Sequence, residues 1–383
     1  LPARHRVNSG GGSFTLVTRL VFLGMSRVVV TMLATVVYPI ARLTQPKTPI
    51  PRKPRRLLIG AGSKGWELIE YQEIFASASE YLGSSNASRL VFSGKKPMLA
   101  EFCQALREVQ PSHYYFDPRS GSQMPLRAAW EALAIGFLLE RYRVTPVCAL
   151  TDFPVRRWRL QAAMVSARSG VAASLMSPSV VGTIFPHKRI VGPLPFPLSV
   201  ATLKRLHELK RSNNLHEHRL RDKVVFVGML YEPRKTTIEA IQTGLAKRGI
   251  PMEIIGRKPD GSRIPDNEYW DIILNARLVV CTSSQIADKE TDFDGRNHFI
   301  YKFIEVTAAG TALAIEPVEG SEHLLQPDVH YIAYCSVEEA VAKIASKWES
   351  PSSLDLLAQK GNEQAATIIG DAVFWRTVLS ENA

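Results

Sequence analysis

From residue 56 onward, short apolar runs alternate with segments of helical spacing, and this alternation restricts the fold more than any other feature. A run such as Leu57-Leu58-Ile59 is apolar at every position, which suits a strand covered on both faces. Strands separated by helix-length segments pair in parallel, because each helix carries the chain back across the sheet. Strands are expected at 56–62, 89–93, 113–116 and 146–151, with helices at 66–82, 96–110 and 126–142. Three prolines, Pro193, Pro195 and Pro197, then exclude a central strand or a helix interior. The interdomain connection falls here, followed by a polar helix over 200–222. The rhythm resumes with strands at 223–228, 252–255, 277–281 and 312–315 and helices at 236–248, 266–276, 299–310 and 337–348. The chain thus reads as α/β, with two doubly wound Rossmann-like domains at 57–197 and 222–347. A segment at 1–56 precedes them, and one or two helices at 352–383 follow.

Apolar residues make up 45% of the chain and charged residues 22%, enough for packed cores. The net charge of +11 is concentrated: residues 1–56 hold ten Lys or Arg and no Asp or Glu. The body is therefore close to neutral, and no basic face with interleaved aromatics marks a nucleic-acid partner. Cys103, Cys148, Cys281 and Cys335 lie far apart with no C-x-x-C pair, so reduced structural thiols and no metal site are expected.

Within the basic segment, the uninterrupted apolar stretch 28–41 would reach ~21 Å as a helix, short of the ~30 Å bilayer core. Extending it to Leu20 buries Arg27 in hydrocarbon unless that side chain snorkels. Basic residues flank both ends, and Arg42, Lys47, Arg52, Lys53, Arg55 and Arg56 make the second flank the richer one. The expectation is membrane association, by an interfacial helix on an acidic lipid surface or by an anchor that leaves the body on the cytoplasmic face. A leader segment and a helix packed on the protein itself are the alternatives.

Ligands of open parallel sheets bind beyond the carboxyl ends of the strands, which directs attention to two loops of the second domain. The first leaves the strand at Gly228 and reaches Arg234 and Lys235 at the next helix start, where two cations suit a phosphate. A solvated basic helix start would look the same. The second is the otherwise apolar helix Lys302-Phe303-Ile304-Glu305, whose charged pair at i, i+3 shares one face. A carboxylate there can accept both hydroxyls of a ribose; an ion pair on a helix surface is the plain alternative.

Lys302-Phe303-Ile304-Glu305 with Ala309-Gly310-Thr311 resembles the K/R-x-x-E-x-x-A-x-G-T element of group-one glycosyltransferases, in particular the spore-maturation-protein-like branch. Gly228 with Lys235 is similar to the phosphate-binding element of those families, and the resemblance covers about residues 222–347. It implies the GT-B arrangement, with two Rossmann-like domains facing across a cleft, an acceptor side and a donor side. It further implies that Glu305 binds the nucleotide ribose and that Lys235, with Arg234, neutralises the departing diphosphate without a metal. Gly310 would allow close helix-to-strand packing near the donor. The implied partners are a nucleotide sugar as co-substrate, with no other cofactor, and a carbohydrate, lipid or protein acceptor. Retaining members carry a second Glu eight positions before the ribose Glu; here that position is Asn297, near Asp294 and Arg296, so retention and inversion stay open. The usual Gly-Arg is Gly228-Met229, and Arg234 stands in for the missing cation.

A catalytic base would come from the first domain, and Asp152 and Asp117, at the ends of expected strands, are the candidates. Both residue types also serve as caps and turns. Residues 60–65 fit G-x-G-x-x-G, but only Glu80, inside a helix pattern, stands near the place of a ribose-binding acid, which disfavours a dinucleotide enzyme. His113 and His187 carry no assigned role, and His216 and His218 read as solvated. Two competing functions are a sugar-nucleotide epimerase and a membrane-tethered binding protein without catalysis.

Overall fold

The structure, a computed structural model, describes residues 55–62, 66–93, 98–116, 125–150, 171–174, 178, 189–212, 220–232, 234–257, 262–282 and 297–380, with scattered positions between 32 and 44. Two parallel sheets organise it. The first contains β1 (Leu57–Gly62), β2 (Ala87–Phe92), β3 (His113–Phe116), β4 (Thr145–Leu150), β5 (Val171–Ser174) and β6 (Arg189–Val191) in the order β2-β1-β3-β4-β5-β6. The second contains β7 (Val224–Val227), β8 (Met252–Ile255), β9 (Leu278–Val280), β10 (Ala312–Ile315) and β11 (Ile332–Ala333) in the order β11-β10-β9-β7-β8. Every strand pair is parallel. In each sheet the direction of winding reverses between its first and third strands, so each has a switch point there.

The first sheet carries α1 (Ile69–Leu82), α2 (Met98–Val109) and α3 (Pro125–Tyr142). A connecting helix, α4 (Val200–Ser212), leads to the second sheet, which carries α5 (Arg234–Ala246), α6 (Asp266–Asn275), α7 (Lys302–Ala308) and α8 (Val337–Trp348). The chain ends in α9 (Pro351–Gly370) and α10 (Val373–Leu379). Residues Val224–Val227 and Ala312–Ile315 are buried at every position, as strands covered by helices on both faces must be.

The elements 113–116, 252–255, 312–315 and 337–348 fall where the alternation puts them. β5, β6 and β11 were not expected; they have two to four residues and are defined by the neighbours they pair with. The helix expected over 299–310 starts only at Lys302. Phe299 nevertheless packs its ring on Phe303, centroids 4.9 Å apart, so hydrophobic spacing could not separate it from the helix. The helix expected over 200–222 ends at Ser212.

The described part of the expected segment 352–383, up to Ser380, divides between the lobes. α9 packs on the second lobe, whereas Phe374, Trp375, Val378 and Leu379 of α10 join the first lobe's core with Leu57, Tyr115 and Val147. The Trp375 indole donates to Ser77 Oγ at 2.9 Å, and Arg189 donates to the carbonyl of Ser380 at 2.6 Å. α4 ties the lobes a second time. Its N-terminal N–H groups have no partners within the helix. Glu73 Oε2 accepts from Ser199 N–H at 2.8 Å, and Glu80 accepts from Val200 and Ala201 at 2.7 and 2.9 Å. Among the described residues no helix is long and apolar enough to cross a membrane.

Candidate functional site between the lobes

A cleft of about 340 Å³ opens at the second sheet's switch point, where Gly228 follows β7 and Cys281 follows β9. Its far wall belongs to the first lobe: Ile69 and Glu70 from the first turn of α1, with Phe196 from the connection. The volume lies within the ~300–1,000 Å³ of small-molecule sites. Gly228, at φ 150°, lets the chain leave the strand sharply in a backbone region that side chains disfavour.

α7 delivers the central pair. Phe303, Ile304, Val306, Thr307 and Ala308 are all buried, so the helix is enclosed on every side and its rotation is fixed by packing. Its carboxyl end is closed by a left-handed turn at Gly310, φ 63°. Gly310 N–H bonds Thr307 O at 2.9 Å and Thr311 N–H bonds Val306 O at 3.2 Å. Asn362 of α9 donates to the carbonyls of Thr307 and Ala308, and Lys210 of α4 to those of Ala309 and Gly310. Neighbouring elements thus anchor the helix from behind, and its other end faces the cleft.

Glu305 is 3% exposed, and its Oε2 accepts from the Tyr269 hydroxyl at 2.5 Å while facing Lys302 Nζ at 3.5 Å. Lys302 in turn donates to the Tyr269 hydroxyl. Burial pushes the Glu305 carboxyl up to about 7; the Lys302 ammonium opposes that rise and the Glu70 carboxylate adds to it. Burial likewise lowers Lys302, against the pull of Glu305. The pair seen from spacing is real, but it lines a cleft and is not a surface ornament.

At the start of α5, Arg234 is half-buried, lines the cleft and lies over the Tyr231 ring, 4.6 Å from its centroid. Arg257 and Arg263 line the same space. Lys235 does not: its side chain is 49% exposed and pairs with Glu239 at 3.9 Å. One residue of helix is a 100° turn, so two adjacent cations cannot both face the cleft.

Of the residues singled out from sequence, Gly228, Arg234, Lys302 and Glu305 therefore meet in one cavity. Gly310 sits at the opposite end of α7, where a side chain would approach Lys210 Nζ to 3.1 Å. It shapes the helix end and does not line the cleft. Asn297 donates to Pro317 O at 3.0 Å, away from the cavity wall. Gly60 packs under the Tyr114 ring, which a Cβ would strike. His113 opens β3, at the amino end of the strand, opposite to the ligand-binding end of the sheet. Asp152, Asp117, Asp294, Arg296, Ser63, Lys64, His187, His216 and His218 lie outside the described residues. Cys148 and Cys281 are buried thiols, and burial pushes Cys281 up to about 12. Among the described residues no group of three or more His, Cys, Asp or Glu forms a metal-binding cluster.

Sequence reasoning passed over Tyr269, Glu70, Tyr301, Arg257 and Arg263, all in the cleft wall. Tyr269 and Tyr301 look like ordinary helix aromatics. Glu70 had one available signal, an acidic residue in the first turn of the helix that follows the first strand.

Two parallel, doubly wound lobes with a cleft at the switch point define the GT-B class of two-domain folds. Residues 234–368 match the family described as glycosyl transferase-like, a domain of GT-B type. That match is to the broad family and does not single out the spore-maturation branch. Among solved structures, the chain is similar to Anabaena Alr3699/HepE in complex with UDP and glucose. The two share 12% identity with a TM-score of 0.53, over 85% of this chain and 100% of that one. It is also similar to AviGT4, a glycosyltransferase involved in avilamycin A biosynthesis, at 11% identity and a TM-score of 0.51, over 85% and 98% of the two chains. A third is an alpha-glucosyltransferase in complex with UDP-glucose and DNA containing an abasic site, at 11% identity and 0.51, over 83% and 98%. At such identities the likeness bears on the fold alone. No curated protein matches the chain by sequence.

Proposed function

We propose that the protein transfers a sugar from a nucleotide-sugar donor to an acceptor hydroxyl, with the donor nucleotide held in the cleft between the lobes. The observation that carries this reading is Glu305, a buried carboxylate that opens onto a cavity with Arg234, Arg257 and Arg263 in its wall. Glu305 takes a ribose hydroxyl, and the arginines take the diphosphate. In the reaction the anomeric carbon–phosphate oxygen bond breaks, a bond to the acceptor oxygen forms, and the acceptor proton passes to a base. Charge developing on the departing diphosphate is met by the guanidinium groups, with Gly228 leaving room for its approach, so no metal is required for neutralisation. Asp152 or Asp117 of the first lobe remains our choice of base.

A thermal-shift screen against UDP, GDP, ADP and TDP and their sugars tests the donor site, since a ligand of the native state raises the midpoint. Absence of any shift would sink the reading. Incubating the responding nucleotide sugar without acceptor then separates functions. Epimerised donor supports the epimerase, and binding without turnover over a broad acceptor panel supports a non-catalytic binder.

The segment before the first lobe adds a surface. Met32, Val36 and Leu43 are 66%, 62% and 87% exposed, with Leu33 and Ile40 beside them, in a stretch whose flanks are basic and free of acid. Such a segment fits an acidic membrane surface on the cytoplasmic side, with the body held peripherally. Co-sedimentation with phosphatidylserine vesicles, reversed by salt and absent with phosphatidylcholine alone, is the expected outcome.

A further inference from the structure

One carboxylate oxygen in the cleft has no partner. Glu70 Oε2, on the first lobe, is a buried atom with no hydrogen bond, and the Tyr301 hydroxyl on the second lobe is another. Both residues line the cavity that holds Glu305. Their fields overlap, because Glu70 and Glu305 both raise the Tyr301 hydroxyl, after burial as the main cause, and Glu70 also raises Glu305. Both atoms are shielded from solvent, and a buried polar atom without a partner is costly, so a small turn of either side chain into the cavity to meet a polar ligand is favoured.

Counting acceptor sites on Glu305 shows what such a ligand needs. A carboxylate oxygen has about two lone-pair directions. On Oε2 they are taken by the Tyr269 hydroxyl and the Lys302 ammonium. Only Oε1 is left for a ligand, and a vicinal diol has two hydroxyls to donate. Glu70 Oε2, in the wall of the same cavity but on the opposite lobe, is a carboxylate oxygen without a partner.

We propose that Glu70 is a second ribose-binding carboxylate, so that the two lobes share one nucleotide diol: one hydroxyl donates to Glu305 Oε1, the other donates to Glu70 Oε2 and accepts from the Tyr301 hydroxyl. The proposal rests on the donor-site reading above and deepens it in two ways. The site selects ribonucleotides over 2′-deoxyribonucleotides, which places TDP-sugars outside the donor class. Nucleotide binding also links the lobes directly, through a residue at the start of α1.

The test is calorimetric titration of the full chain with UDP, GDP and ADP, and with the 2′-deoxy analogue of whichever binds, against wild type, Glu70→Gln and Tyr301→Phe. Wild type should bind the deoxy analogue about tenfold more weakly, as for loss of one charged hydrogen bond. Glu70→Gln should weaken the ribonucleotide by a similar factor and shrink the difference between the two ligands to about twofold or less. Tyr301→Phe should show a smaller loss in the same direction. Equal binding of both ligands by wild type overturns the proposal, as does a deoxy penalty undiminished in Glu70→Gln. If Glu70→Gln loses turnover at unchanged affinity, Glu70 belongs to the chemical step and the proposal is likewise overturned. Failure of every nucleotide to bind wild type would instead strike the donor-site reading itself.

Discussion

Glu305 and Lys302 face each other as a buried pair, and burial drives each towards its neutral form. For Glu305 the sign is clear. Its carboxyl rises from an ordinary 4.5 to about 7 in the folded chain, so its contribution to stability is complete below about 4.5 and is lost as pH rises through 7. A ribose hydroxyl donates best to the ionised form. Donor affinity should therefore increase between pH 6 and 8 in isothermal titration, and Glu305→Gln should abolish that slope. The same substitution should cost about 1–3 kcal/mol of nucleotide binding at pH 8. Arg234 and Lys235 offer a sharper contrast, being adjacent in sequence but unlike in setting. Arg234→Ala should weaken nucleoside-diphosphate binding by roughly 10–100-fold, the worth of a charged hydrogen bond, and Lys235→Ala by about twofold or less. If Lys235→Ala does the greater damage, the phosphate side of the site is misassigned.

At the scale of elements, α7 has seven residues and could not persist alone, since isolated helices below ~12 residues are marginal. It is held by a buried circumference and by a carboxyl end closed by Gly310, Asn362 and Lys210. Gly310→Ala places a side chain at φ 63° against Lys210 and should lower stability by about 1–2 kcal/mol, read from the urea midpoint. The motif that flagged this helix was legible because it combines a charged pair with an Ala-Gly-Thr stop. What the motif could not convey is that the glycine serves the helix end and the carboxylate serves the cleft. Those roles lie at opposite ends of the element, and spacing gives both the same weight.

For the whole molecule, the two lobes are linked by more than the linker. Glu73 and Glu80 of α1 cap α4, and α10 returns from the second lobe to fill the first lobe's core. Trp375→Ala would leave a cavity beside Tyr115 and remove the donor to Ser77 Oγ, whose own bond to the Glu73 carbonyl stays, at about 3–5 kcal/mol. The expected readout is a lower urea midpoint for the first lobe, with Glu305-dependent nucleotide binding by the second lobe retained. Loss of both together would show that the lobes unfold as one. The alternation of strands and helices apart from the short β5, β6 and β11, the two-lobe plan and the Lys302–Glu305 pair were determined by the sequence, because apolar period and chain connectivity are local properties. Local pattern carries no information about which residues from distant segments meet. Tertiary structure alone decided that Glu70 of the first lobe lines the same cleft as Glu305, that Tyr269 fills one of its oxygens, that Arg234 and not Lys235 turns inward, and that the last helix belongs to the first core. Those outcomes depend on how two sheets are set against each other, and only packing of side chains between lobes fixes that.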